Sequence, residues 1–92
     1  MPLKPDRLTL RDLADLCLNH LAQNPEQLAE FMMQSGLTPD ALRREVGTDG
    51  FAHGLVDYVV SNEPLLLAVA AAGNRSPESI VQVWARLHAH EQ

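Results

Sequence analysis

Apolar residues recur at helical spacing in several short stretches of the chain, and Pro, Gly and small capping residues punctuate them. Leu10, Leu13, Ala14, Cys17 and Leu21 fall on one stripe, which Leu16 and Leu18 widen, and they predict a helix over about 10–23. Thr9 with Asp12 three positions later resembles a capping box, in which a hydroxyl and an acid satisfy the first turn. Asn24-Pro25-Glu26 then supplies a capping side chain, a Pro suited to the first helical position and an acid for the positive helix end. Leu28, Phe31 and Met32 share one face of this second helix and Ala29 and Met33 its flank, before Ser35-Gly36 stops it. Thr38-Pro39-Asp40 opens a short third helix with Leu42 and Val46 inward, Arg43, Arg44 and Glu45 toward water, and Gly47 closing it. Thr48-Asp49-Gly50 caps a fourth over about 50–61, whose broad apolar face holds Phe51, Ala52, Leu55, Val56, Tyr58 and Val59. Gly54 inside it costs up to about 1 kcal/mol relative to Ala, so the expectation is that it admits a close neighbour, the Ala-rich helix that follows.

That fifth helix, Pro64 to Gly73, has no polar residue between its ends. A helix that is apolar all round needs other helices around it, and this one is far shorter than the roughly 20 residues that cross a bilayer. Ser76-Pro77-Glu78 starts a sixth helix with Ile80, Val83, Trp84 and Leu87 on one side, running to about Ala89. The turns at Gly36-Leu37-Thr38-Pro39 and Gly73-Asn74-Arg75-Ser76-Pro77 look alike but differ by one residue, and read as shared punctuation rather than a repeat. The fold expected is all-α, a compact orthogonal bundle of five to six short helices with the Pro64–Gly73 helix central. Residues 1–8, with two prolines and alternating charge, are expected as an N-terminal tail, and 9–90 as a single helical domain. The expected core is Leu13, Cys17, Leu21, Leu28, Met32, Leu42, Leu55, Val59, Leu66, Ala70, Ile80 and Trp84.

Composition narrows the partners more than the fold. Apolar residues make up 46% of the 92 and aromatics only 4%, a diet that favours helices over sheets. The net charge of −5 opposes general affinity for phosphate backbones, which needs Lys and Arg to displace counterions. A lone Cys17 allows no internal disulfide and suits a reducing compartment, and the first residues lack the apolar run of a secretory signal. The location expected is the cytoplasm.

Chemistry-bearing residues are sparse. Cys17 and His20 lie three apart on one helix, as two metal ligands would, but nothing supplies the rest of a site; His88 and His90 point away from each other. No cofactor is expected. His53 has Asp49 four residues before it and Asp57 four after, an arrangement a general base could use, yet of the candidate nucleophiles Ser35, Ser61, Ser76 and Ser79 three sit where helices end or begin, as caps do. No nucleophile elbow, phosphate loop or metalloprotease motif is present, so catalysis lacks visible apparatus. A helix-turn-helix reading rests on Ser35-Gly36-Leu37 leading to Arg43 and Arg44, but Ala29 precedes Gly36 by too many positions and Asp40 leads the would-be recognition helix. Nucleic acid is therefore disfavoured. Phe31, Met32 and Met33 suit an adaptable apolar groove, and Trp84 could anchor an interface. Together with Arg43 and Arg44 they form the candidate partner-binding set, for a protein partner or a homodimer and not a membrane.

Asn24-Pro25-Glu26-x-Leu28, Phe31-Met32-x-x-Ser35-Gly36-Leu37-x-Pro39-x-x-Leu42-Arg43 and Phe51-x-x-x-Leu55-x-Asp57-Tyr58-x-x-Ser61-x-Glu63-x-Leu65-Leu66 together resemble a family of small alphaproteobacterial proteins catalogued as a domain of unknown function. The resemblance spans about residues 10–90 and implies a compact helical domain in a bacterial cytoplasm. It brings no activity, cofactor or site residues. Gly73-Asn74-Arg75-Ser76 departs from the family pattern, which places an aliphatic after the glycine.

Overall fold

Local capping chemistry sets the helix starts. In the computed structural model, which describes residues 9–90 and side chains as far as Arg86, the helices are α1 (Leu10–Ala22), α2 (Pro25–Ser35), α3 (Pro39–Glu45), α4 (Asp49–Val60), α5 (Glu63–Ala72) and α6 (Pro77–His90). Thr9 and Asp12 form the expected capping box: the Thr9 hydroxyl accepts from the Asp12 amide at 3.0 Å and the Asp12 carboxylate accepts from the Thr9 amide at 3.3 Å. Thr38, Thr48 and Ser76 likewise accept from the backbone three residues on, at 3.1 Å each. Asn24 behaves differently. Its side chain makes no cap bond to α2 and donates instead to the His20 carbonyl at 2.7 Å, closing the end of α1. The tail expected over residues 1–8 and the inward placement of Leu87 lie outside the described residues.

The two similar turns are one structure at a shifted address. At the first, Gly36 takes the left-handed conformation (φ 75°) and the Leu37 amide donates to the Met32 carbonyl at 3.0 Å. At the second, Gly73 stays right-handed and Asn74 is the left-handed residue (φ 57°), with Arg75 donating to the Ala70 carbonyl at 2.9 Å. Both are the closing bonds of a Schellman-type stop. Gly36-Leu37-Thr38-Pro39 therefore corresponds to Asn74-Arg75-Ser76-Pro77, and the one-residue mismatch in the sequence disappears.

The core runs along the seam between α1 and α4, the most extensive helix contact in the fold. Leu13, Cys17, Leu21, Leu55, Val56 and Val59 are wholly or almost wholly buried in it. Helices α5 and α6 close it with Leu65, Leu66, Val69, Ala70, Ile80 and Val83, and α4 turns into α5 through 110°. The all-α architecture is as expected.

Its centre is not. α5 packs against α1, α4 and α6, but no described helix covers the side carrying Leu67, Ala71 and Ala72, and Leu67 is 49% exposed. The segment is apolar all round, yet dry on one side only, and α1 is the helix that touches α2, α4, α5 and α6. Four members of the expected core are also only partly covered. Leu28, Met32 and Trp84 pack on its margin, and Leu42 is half-buried on α3, which has no buried residue. Val46, expected inward, is exposed. A helix of seven residues with polar Arg43, Arg44 and Glu45 on its surface side is too short to bring a second apolar turn onto the core.

Candidate functional site

Where α3 fails to cover its neighbours, a groove opens. It has a volume of about 490 Å³, with α2, the turn after it and α3 on one side and α4 on the other. Its floor is aromatic. Phe31 is 3% exposed and meets Phe51 edge-on, with ring centroids 6.2 Å apart and planes at 79°, and Tyr58 with centroids 5.0 Å apart at 63°. Such edge-to-face pairs set the positive ring edge against the negative face and add to what burial contributes. Leu37 and Leu55 complete the apolar lining.

Two glycines one helical turn apart, Gly50 and Gly54, expose bare α4 backbone on the groove wall. A Cβ placed at either would meet nothing within 4 Å. The expected close approach of α5 at Gly54 is therefore absent. It occurs at Gly73, where an added Cβ would lie 2.9 Å from a Leu16 methyl.

The polar lining is Gln34, Ser35, Glu45, Asp57 and Ser61. Ser35 is tied back to its own helix, its hydroxyl donating to the Phe31 carbonyl at 2.7 Å. Asp57 accepts from the Trp84 indole at 2.6 Å, so α6 holds a carboxylate in place on α4. Tyr58 has its hydroxyl pKa raised, first by burial and then by the nearby Glu30 carboxylate, against an opposing hydrogen bond with Asn62. It is thus a neutral hydroxyl at the groove margin.

Among the sequence candidates, Phe31 lines the groove, as its buried floor rather than an exposed contact. Met33 is 79% exposed and Met32 half-buried, both outside the lining. Arg43 pairs with Asp40 at 2.7 Å on the exposed face of α3, beside exposed Arg44. Trp84 lies outside the lining and reaches the site through its bond to Asp57. Phe51, Tyr58, Leu37 and Gly50 are absent from the candidate set and Gly54 enters the sequence reading only as a helix contact, although Gly50 and Gly54 at i, i+4 next to Phe51 and Tyr58 are a readable signal.

Asp49 accepts from the Arg11 Nε of α1 at 3.4 Å and Asp57 from the Trp84 indole of α6 at 2.6 Å, so each acid flanking His53 is engaged by another helix. Ser76 caps α6 by accepting from the Ser79 amide, and the Ser79 hydroxyl donates back to the Ser76 carbonyl at 2.8 Å. His20 Nε2 lies 2.7 Å from the Gln27 side-chain oxygen, while Cys17 is fully buried with its thiol pushed up to about 12 by desolvation. No group of three or more His, Cys, Asp or Glu side chains that could hold a metal occurs among the described residues. No single described helix is long and apolar enough to cross a membrane.

No curated protein and no solved structure matches the chain. A family model does, over residues 9–90, which is nearly the whole length and agrees with the resemblance carried by the Ser35-Gly36-Leu37 and Phe51-Leu55-Tyr58 stretches. The chain belongs to the family described as "Protein of unknown function (DUF3572)".

Proposed function

We propose that this domain is a protein-interaction module of the bacterial cytoplasm, receiving a segment of a partner protein in the groove between α2, α3 and α4. The observation that carries the reading is Gly54. A mid-helix glycine costs up to about 1 kcal/mol relative to Ala, and no neighbour within the fold benefits from its missing side chain. The groove beside it does, because bare backbone lets another chain approach α4 closely. The rings of Phe31, Phe51 and Tyr58 give that chain an apolar floor of the kind that partner helices use. A reducing compartment is supported by the lone, buried, unpaired Cys17.

The test is affinity purification of the tagged full chain from its own host, beside a Gly54→Trp variant. Gly54 lines the groove and a Cβ there meets nothing within 4 Å, so a large side chain at this position obstructs the groove. The wild type is expected to retain a partner that the variant loses at unchanged Tm. A partner retained equally by both proteins refutes the groove.

A further inference from the structure

We infer that the groove's occupant is an amphipathic helix of another protein that carries Lys or Arg beside its apolar residues. This rests on the interaction-module reading and adds the partner's chemistry. The carboxylates lining the groove are Glu45 on α3 and Asp57 on α4, and no Lys, Arg or His lines it. Glu30 extends the same sign along the margin, in a smaller depression that shares Tyr58 with the groove. The indole bond to Asp57 keeps one of these charges fixed rather than free to swing away. An entering chain therefore meets negative potential on both sides of an aromatic floor, and cationic flanks complement it.

The same acids oppose the other occupants. A second copy docking groove to groove would bring two acid-lined surfaces together, on chains that each carry a net charge of −5. A phosphate backbone would meet the same repulsion. Strand addition is closed to the occupant, since it needs an open sheet edge and the described residues form only helices and turns. Gly50 and Gly54, one turn apart, leave a strip of α4 against which a second helix backbone can rest.

Two fluorescein-labelled synthetic helices test this against the full chain by fluorescence anisotropy. Both carry Leu at positions i, i+3, i+4 and i+7, and they differ only in flanking Lys or flanking Glu. The Lys helix is expected to bind at least tenfold more tightly, to weaken as salt is raised, and to lose affinity on Glu45→Lys and on Gly54→Trp, both variants keeping the wild-type Tm. Equal binding of both helices, abolished by Gly54→Trp, overturns the charge assignment and leaves the interaction module standing. Binding of neither helix, or binding indifferent to Gly54→Trp, overturns the inference. If the Lys helix binds only when Lys4→Glu and Arg7→Glu are introduced together, the occupant is the chain's own amino-terminal stretch, and the inference also falls. Self-association that Gly54→Trp abolishes assigns the groove to a second copy, with the same result.

Discussion

The α1–α4 seam and the α2–α3 arm both present Leu and Ala at helical spacing, yet one is dry and the other is not. Along the seam each helix has a long partner, and Leu13, Cys17, Leu21, Leu55 and Val59 are fully buried. Along the arm α2 buries Phe31 alone and α3 buries nothing. The difference lies in length: the seven residues of α3 cannot cover what the eleven of α2 and the twelve of α4 present. An amphipathic stripe says which face seeks cover, and the length of the neighbour decides whether the chain itself provides it.

Breaking the seam has the largest expected effect. Leu13→Asp places an unpaired charge in the dry interior, costs several kcal/mol and abolishes the helical circular dichroism, whereas Leu42→Asp on the arm costs less than about 1.5 kcal/mol. Phe31→Ala, where the two regions meet, is expected to cost about 3 kcal/mol in urea unfolding.

The seam also has a pH signature. Burial raises the Cys17 thiol from 9.0 to about 12, so the folded state holds its proton where the unfolded chain has released it. That contribution is fully present below pH 9 and is lost as pH climbs toward 12, roughly 3 kcal/mol of it by pH 11. Unfolding curves of the wild type are expected to fall over that range, and those of Cys17→Ala to fall less. Below pH 9 the thiol should resist iodoacetamide until denaturant is added.

The two glycines give the finest contrast. Gly54→Ala is expected to stabilise by about 0.5–1 kcal/mol, since the helix gains a better former and nothing is crowded. Gly73→Ala should give no gain, because its methyl meets Leu16 at 2.9 Å. Equal effects at the two positions would remove the distinction between a groove glycine and a packing glycine.

The helix ends were legible because they depend on neighbours in sequence. Thr9, Thr38, Thr48 and Ser76 cap through bonds that span three residues, and Pro25, Pro39, Pro64 and Pro77 sit in the first turns. Coverage was not legible, because it depends on where remote helices go. Nothing local distinguishes Leu66, buried on α5, from Leu67 beside it at 49% exposed, nor tells which glycine faces a neighbour. Leu28, Met32, Leu42 and Trp84 were placed inside on periodicity alone and lie at the edge for the same reason. The groove is a failure of coverage, so the sequence held its pieces in Phe51, Tyr58 and Gly54 without announcing their meeting.

Because Phe31 is the one buried side chain of α2 and also the floor of the groove, that helix hangs on a single peg which a visitor would press upon from outside. Segments secured so lightly open most often, and their amides trade hydrogen for deuterium fastest. Occupancy should therefore slow isotope exchange across residues 28–35 while the α1 amides keep their pace, giving α2 the part of a built-in reporter of whether the groove is filled.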